Sequence, residues 1–191
     1  MRSYILSFWN VLDPLYYLLT RLEYIDRHSG IFRVRLTKYK GRTVILSDGT
    51  LIKKNDKLVK IHLHNSRILS ELQYVPCSVR RGRTIFKRIF KSMPTLAEYI
   101  HNHKNSNEIK GAIGITMLHK GAEKLGFEII QPCNMFYRLF KSMSQFPIFL
   151  LSSGRPKTLK IPDTYYLFIS KEKLLQTYQK LTEEDIKYRD Q

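Results

Sequence analysis

Apolar and polar side chains alternate through Leu58-Val59-Lys60-Ile61-His62-Leu63-His64. On a strand, Val59, Ile61 and Leu63 face one way, toward a core, while Lys60, His62 and His64 face the other. The same period of two runs through residues 31–38, where Phe32, Val34 and Leu36 oppose Arg33, Arg35 and Thr37. Between these segments, Lys40-Gly41, Asp48-Gly49 and Lys54-Asn55-Asp56 read as turns, separating short strands at 43–46 and 51–52. The pattern predicts a four-stranded antiparallel β-meander over about residues 31–64, apolar on one face and basic on the other.

Elsewhere the period lengthens to that of a helix. Residues 3–25 place Phe8, Leu12, Leu15, Tyr16 and Leu19 at spacings of three and four, an amphipathic helix restarted at Asp13-Pro14. Ser66 opens a short helix through Leu72. The pairs Ile85-Phe86 and Ile89-Phe90 recur at four-residue steps and predict a cationic helix over Thr84–Ser92. Thr95 and Glu98 form a capping box that opens a separate helix. A second strand pair follows, at 113–117 and 127–130, divided by a short helix over Ala122–Leu125 that Gly126 ends. Met135–Phe149 reads as a helix and Tyr165–Ile169 as a strand. Ser170 caps a final helix carrying Leu174, Leu175 and Tyr178. Helices bracketing a meander and a second strand pair make the class α+β. One domain spans 1–181, followed by a charged tail at 182–191.

Charge changes this picture. The chain of 191 residues has a formal net charge of +17, which calls for a polyanionic neighbour. The excess sits in the first half: from Arg33 to Lys91 there are sixteen Lys and Arg against three acids, Asp48, Asp56 and Glu71. Two cysteines, Cys77 and Cys133, lack a CxxC spacing and cannot build a disulfide framework. In the apolar N-terminal run, Asp13-Pro14 and Arg21 argue against a membrane span and no small-residue cleavage site follows. These features together indicate a cytoplasmic protein, with peripheral attachment at the inner face of the membrane as a further option.

Two stretches could carry chemistry. His62 and His64 lie about 7 Å apart along one strand face, near enough to share a metal. Zinc would need a third ligand, for which His119 is the candidate, and the same three histidines are the candidates for acid–base catalysis. No cofactor is otherwise indicated. The favoured reading is a structural or anion-binding face of Lys60, His62 and His64, capped by Asn65. The second stretch holds Arg80, Arg81, Arg83, Lys87, Arg88 and Lys91 interleaved with aromatic side chains. That composition suits phosphate groups on a lipid surface or on RNA. No Walker loop, Gly-x-Ser-x-Gly or His-Glu-x-x-His motif occurs.

Phe8-Trp9-Asn10-Val11-Leu12-Asp13-Pro14, Phe32-Arg33-Val34-Arg35, Lys60-Ile61-His62-Leu63-His64-Asn65, Gly114-Ile115-Thr116 and Lys124-Leu125-Gly126-Phe127-Glu128 occur in that order. Together they resemble the YkoP-like proteins of spore-forming bacteria. The resemblance brings no assigned activity and no catalytic residue. It implies work on the cell envelope, because similar domains are joined to polysaccharide deacetylases. It also marks Lys60, His62, His64, Asn65 and Thr116 as ligand-binding candidates, with His119 a further position to watch. The expectation is a non-catalytic accessory domain that binds an anionic membrane surface, envelope polymer or precursor. An enzyme acting on an envelope sugar or lipid precursor is the alternative, and nucleic acid is a weaker candidate partner.

Overall fold

The computed structural model describes residues 22–26, 30–72, 74–75, 77–116, 119–131 and 163–179. The expected helices at 3–25 (but for its last residues) and 135–149 and the tail from 182 lie outside them. In chain order the strands are β1 (Glu23–Tyr24), β2 (Phe32–Lys38), β3 (Val44–Ile45), β4 (Leu51–Ile52) and β5 (Lys57–Leu63). Helices α1 (Asn65–Leu72) and α2 (Ser78–Asn102) lead to β6 (Ile109–Thr116), β7 (Glu128–Ile130), β8 (Tyr165–Ser170) and α3 (Lys171–Tyr178). The α+β class stands.

The strand order departs from a meander. β2 pairs directly with β5, and the six-stranded sheet runs β1-β2-β5-β6-β8-β7, with β3 and β4 forming a separate two-stranded hairpin. β5 and β6 are parallel, joined through α1 and α2, and the other neighbours are antiparallel. The second strand pair is divided in the same manner, because β8 inserts between β6 and β7. Turn signals locate strand ends but say nothing of which strands become neighbours, and here the long strands outcompete the two-residue ones. Glu23 and Tyr24 also pair as a strand with Val34 and Arg33, where helical spacing had continued to residue 25.

The alternation holds on both faces. Val34, Val59 and Ala112 join Leu96, Ile169 and Leu174 in the main core beneath the helices. On the opposite face the β3–β4 hairpin folds back, and Tyr39, Leu46 and Ile52 close over Leu58, Ile113 and Phe168 in a second core. So half of the face expected to be basic is apolar and covered. The hairpin tip is fastened by polar contacts. Ser170 Oγ donates to Asp48, and Glu128 accepts from the backbone and hydroxyl of Ser47 at 2.9 and 2.7 Å. Ser170 also caps α3 as expected, accepting from Lys173 N at 3.0 Å.

Helix α2 is one continuous helix of 25 residues with Pro94 inside it, so Thr95 opens no helix. Proline removes one hydrogen bond and clashes with the preceding turn, at a cost of about 3 kcal/mol. Met93, Leu96, Ala97 and Ile100 are each fully buried around it. At about 1.5–3 kcal/mol for a large apolar side chain, that burial outweighs the break. Gly126 takes the left-handed conformation, φ 82°, closing the 3₁₀ turn Ala122–Leu125 as its position implies.

Gly111 marks the tightest backbone approach. A Cβ there would stand 2.2 Å from the Ile169 carbonyl oxygen, at the place where the β5–β6 register slips by one residue. Gly111→Ala is expected to destabilise the fold by about 1–3 kcal/mol, read from urea unfolding. Unchanged stability would show that β6 and β8 are not in this contact. A second prediction concerns pH. Burial raises the Asp48 pKa, but hydrogen bonds from Ser170 and the Thr50 backbone outweigh it and hold the carboxyl below its usual value. A depressed folded-state pKa gives stability that is present above the unfolded value, near 3.9, and lost as pH falls through the folded one. Acid unfolding below about pH 4 should therefore lose part of its slope in Asp48→Asn.

Candidate functional site

The site grows out of the β2–β5 register. Arg33 stands opposite His62 and Arg35 opposite Lys60, so two strands that each alternate bring four basic side chains to one face. Directly opposed residues in an antiparallel pair are cross-strand neighbours on the same side. β1 adds Tyr24, opposite Arg33. The Arg33 guanidinium carbon lies 4.8 Å from the Tyr24 ring centroid, a cation–π contact. The same ring meets His64 edge-on at 5.5 Å. Tyr24 thus ties the arginine to the histidine that closes the strand.

This face is not a solvated stripe. Arg33 is only 3% exposed, and Arg35, Lys60, His62 and His64 are half-buried. Arg33 Nε, Arg35 Nε, His62 Nε2 and His64 Nδ1 are buried atoms. The hairpin core ends at Leu58 and Ile113, and Lys60 lies beside Ile113 in the register, so the cationic region borders an apolar one. Such an arrangement can bind an oxyanion in a low-dielectric setting. Guanidinium supplies a planar fork, ammonium a point charge and imidazole a donor.

The remaining expected residues separate. Thr116 pairs with Tyr165, three positions on from Ile113, and alternation sends it to the helix face, away from Lys60 and His62. His119 packs on Tyr165 with ring centroids 4.1 Å apart, and the turn after it enters the helix-side core through Ala122 and Leu125. Among the described residues no three His, Cys, Asp or Glu side chains form a group that could hold a metal. His119 lies with Tyr165 and, among the described residues, forms no three-ligand group with His62 and His64. Asn65 follows His64 directly as the first residue of α1.

The basic helix divides as well. Arg81 is buried, its Nε donating to Val75 O at 2.6 Å. Arg88 forks Glu71, with Nε to Oε2 at 2.8 Å and a second contact to Oε1. Arg80, Arg83 and Lys91 are exposed and Lys87 is half-buried. Cys77, exposed at the N-cap of α2, has its thiol pKa lowered, first by the backbone N–H of Arg80 and then by that of Val79.

A protein-family model for the YkoP domain matches residues 2–178. The chain belongs to the YkoP family. It is similar to "Uncharacterized protein YkoP" of Bacillus subtilis (strain 168), 56% identical over 181 residues, covering 94% of this chain and 99% of that protein. No solved structure matches. Family membership bears out the resemblance in the residues, while a link to deacetylases is no part of these matches.

Tyr24, Arg33 and Arg35 join this candidate face without having been among the residues the sequence singled out. Arg33 and Arg35 were visible as the polar half of an alternating strand. Only direct pairing with β5 joins them to His62 and Lys60. A prediction follows from the separated histidines: zinc titrated into the protein should give the same stoichiometry and affinity in wild type and in His62→Ala/His64→Ala. Loss of a tight site in the double variant would restore a metal centre.

Proposed function

We propose that this YkoP-family chain is a binding domain for an oxyanion-bearing component of the cell envelope, a phosphorylated polymer or lipid-linked precursor. The observation that carries this reading is the β2–β5 register, which stacks Arg33 on His62 and Arg35 on Lys60 on one partly buried face. Two guanidinium groups, an ammonium and an imidazole suit a phosphate or pyrophosphate better than any neutral sugar. Burial of Arg33 against Tyr24 holds one fork in place before a ligand arrives, which lowers the cost of ordering it. The envelope setting rests on the family resemblance to domains joined to polysaccharide deacetylases.

Binding of inorganic pyrophosphate and of a short-chain polyprenyl phosphate, followed by calorimetry, tests this. Wild type should bind both, with affinity falling as salt rises. Lys60→Ala and Arg35→Ala, each replacing a half-buried group, should weaken binding at least about tenfold, as expected for a charge-assisted bond of about 1.5–3 kcal/mol, while Tm stays near wild type. Equal affinity in the variants would remove the site from this face. Turnover of the polyprenyl phosphate that disappears in His62→Ala would replace the binding domain by an enzyme.

A further inference from the structure

From Gln73 to Ala97 the chain contains no Asp or Glu and six basic residues. The first turn of α2 has no acid and carries Arg80 and Arg81, although the positive end of a helix dipole favours acids there. Arg81 and Arg88 fix the α1–α2 corner through Val75 and Glu71. The other four lie along one side of the helix. At 100° per residue, Val79, Arg80, Arg83, Lys87 and Lys91 fall within about 120° of one another around the helix. Arg80, Arg83 and Lys91 are exposed.

The same corner exposes apolar surface. Val79 is 74% and Tyr74 82% exposed, two of the four large apolar side chains left open among the described residues. A tyrosine and a valine beside a basic helical stripe match the chemistry of an interfacial anchor. The apolar tips enter the headgroup layer and the cations meet lipid phosphates. None of the helices in the described residues is long and apolar enough to cross a bilayer.

We propose that the α1–α2 corner docks this domain on an anionic membrane surface, with Tyr74 and Val79 seated among the headgroups and Arg80, Arg83 and Lys91 against lipid phosphates. The proposal goes beyond the sheet-face reading and uses none of its residues, so each can fail alone. Charge complementarity selects the lipid: a neutral bilayer would offer the exposed Arg80 and Arg83 no anion, and RNA would leave Val79 without an apolar partner.

The test is cosedimentation of the full chain with vesicles of phosphatidylcholine alone or mixed with phosphatidylglycerol. Wild type should bind the mixed vesicles and not the neutral ones, less tightly as salt rises. A basic residue near an anionic surface contributes roughly fivefold in affinity, so Arg80→Glu/Arg83→Glu should lose at least about 25-fold. Tyr74→Ser/Val79→Ser should lose several-fold and keep the salt dependence. All four positions are exposed, so circular dichroism should find the fold unchanged. Undiminished vesicle binding by both double variants would overturn the proposal. So would loss of vesicle binding in Lys60→Ala/Arg35→Ala alone, or single-stranded RNA displacing the protein from vesicles at stoichiometric concentration.

Discussion

Seven consecutive residue pairs between β2 and β5, from Phe32 opposite Leu63 to Lys38 opposite Lys57, fix everything else in this domain. Because side chains alternate, slipping that register by one residue would send either Val34 on β2 or Val59 and Ile61 on β5 to the far face, and that strand's charges under the helices. The cost of burying Arg35 and Lys60 in the main core sets the register more firmly than any turn could. The two-residue hairpin strands cannot compete with it. They are left to fold over the opposite face, where they cover Leu58, Ile113 and Phe168. The candidate site is what remains uncovered by that hairpin.

Several contacts unite distant parts of the sequence around this frame. Asp48 at the hairpin tip meets Ser170 at the start of α3, and Ser47 meets Glu128 on β7. On the helix side, Tyr178 donates to the Leu125 carbonyl at 3.1 Å and packs edge-on against Phe90. Tyr99 donates to Glu23 at 3.0 Å, tying α2 to the edge strand; burial and that carboxylate push its pKa up to about 12. The hairpin, α3 and β1 are thus each held by polar contacts that follow from the β2–β5 choice.

What the residues revealed depended on range. Local patterns were legible: the two alternating strands, the Ser170 cap, the Gly126 stop and the buried stripe Leu174–Tyr178. Long-range choices were not. No turn signal distinguishes a four-stranded meander from two long strands with a hairpin between them, and none shows β8 entering between β6 and β7. Pro94 and the Thr95/Glu98 pair gave a clear local message to stop and restart a helix. Packing of Met93, Leu96 and Ala97 overrode it. At the site, His62, His64 and Lys60 were visible on their own strand. Arg33, Arg35 and Tyr24 became partners only once the pairing was known, and Thr116 and His119 left the set for the same reason.

The place of β8 also bears on how the chain is made. Strands β6 and β7 have no direct ladder with each other. Each pairs with β8, which begins at residue 165 of 191. During synthesis the edge of β6, bearing Ile113 and Ile115, must wait for nearly fifty more residues before its neighbour leaves the ribosome. An unpaired hydrophobic edge is a template for wrong partners. The sheet is therefore completed late in synthesis, once β8 has emerged to join β6 and β7.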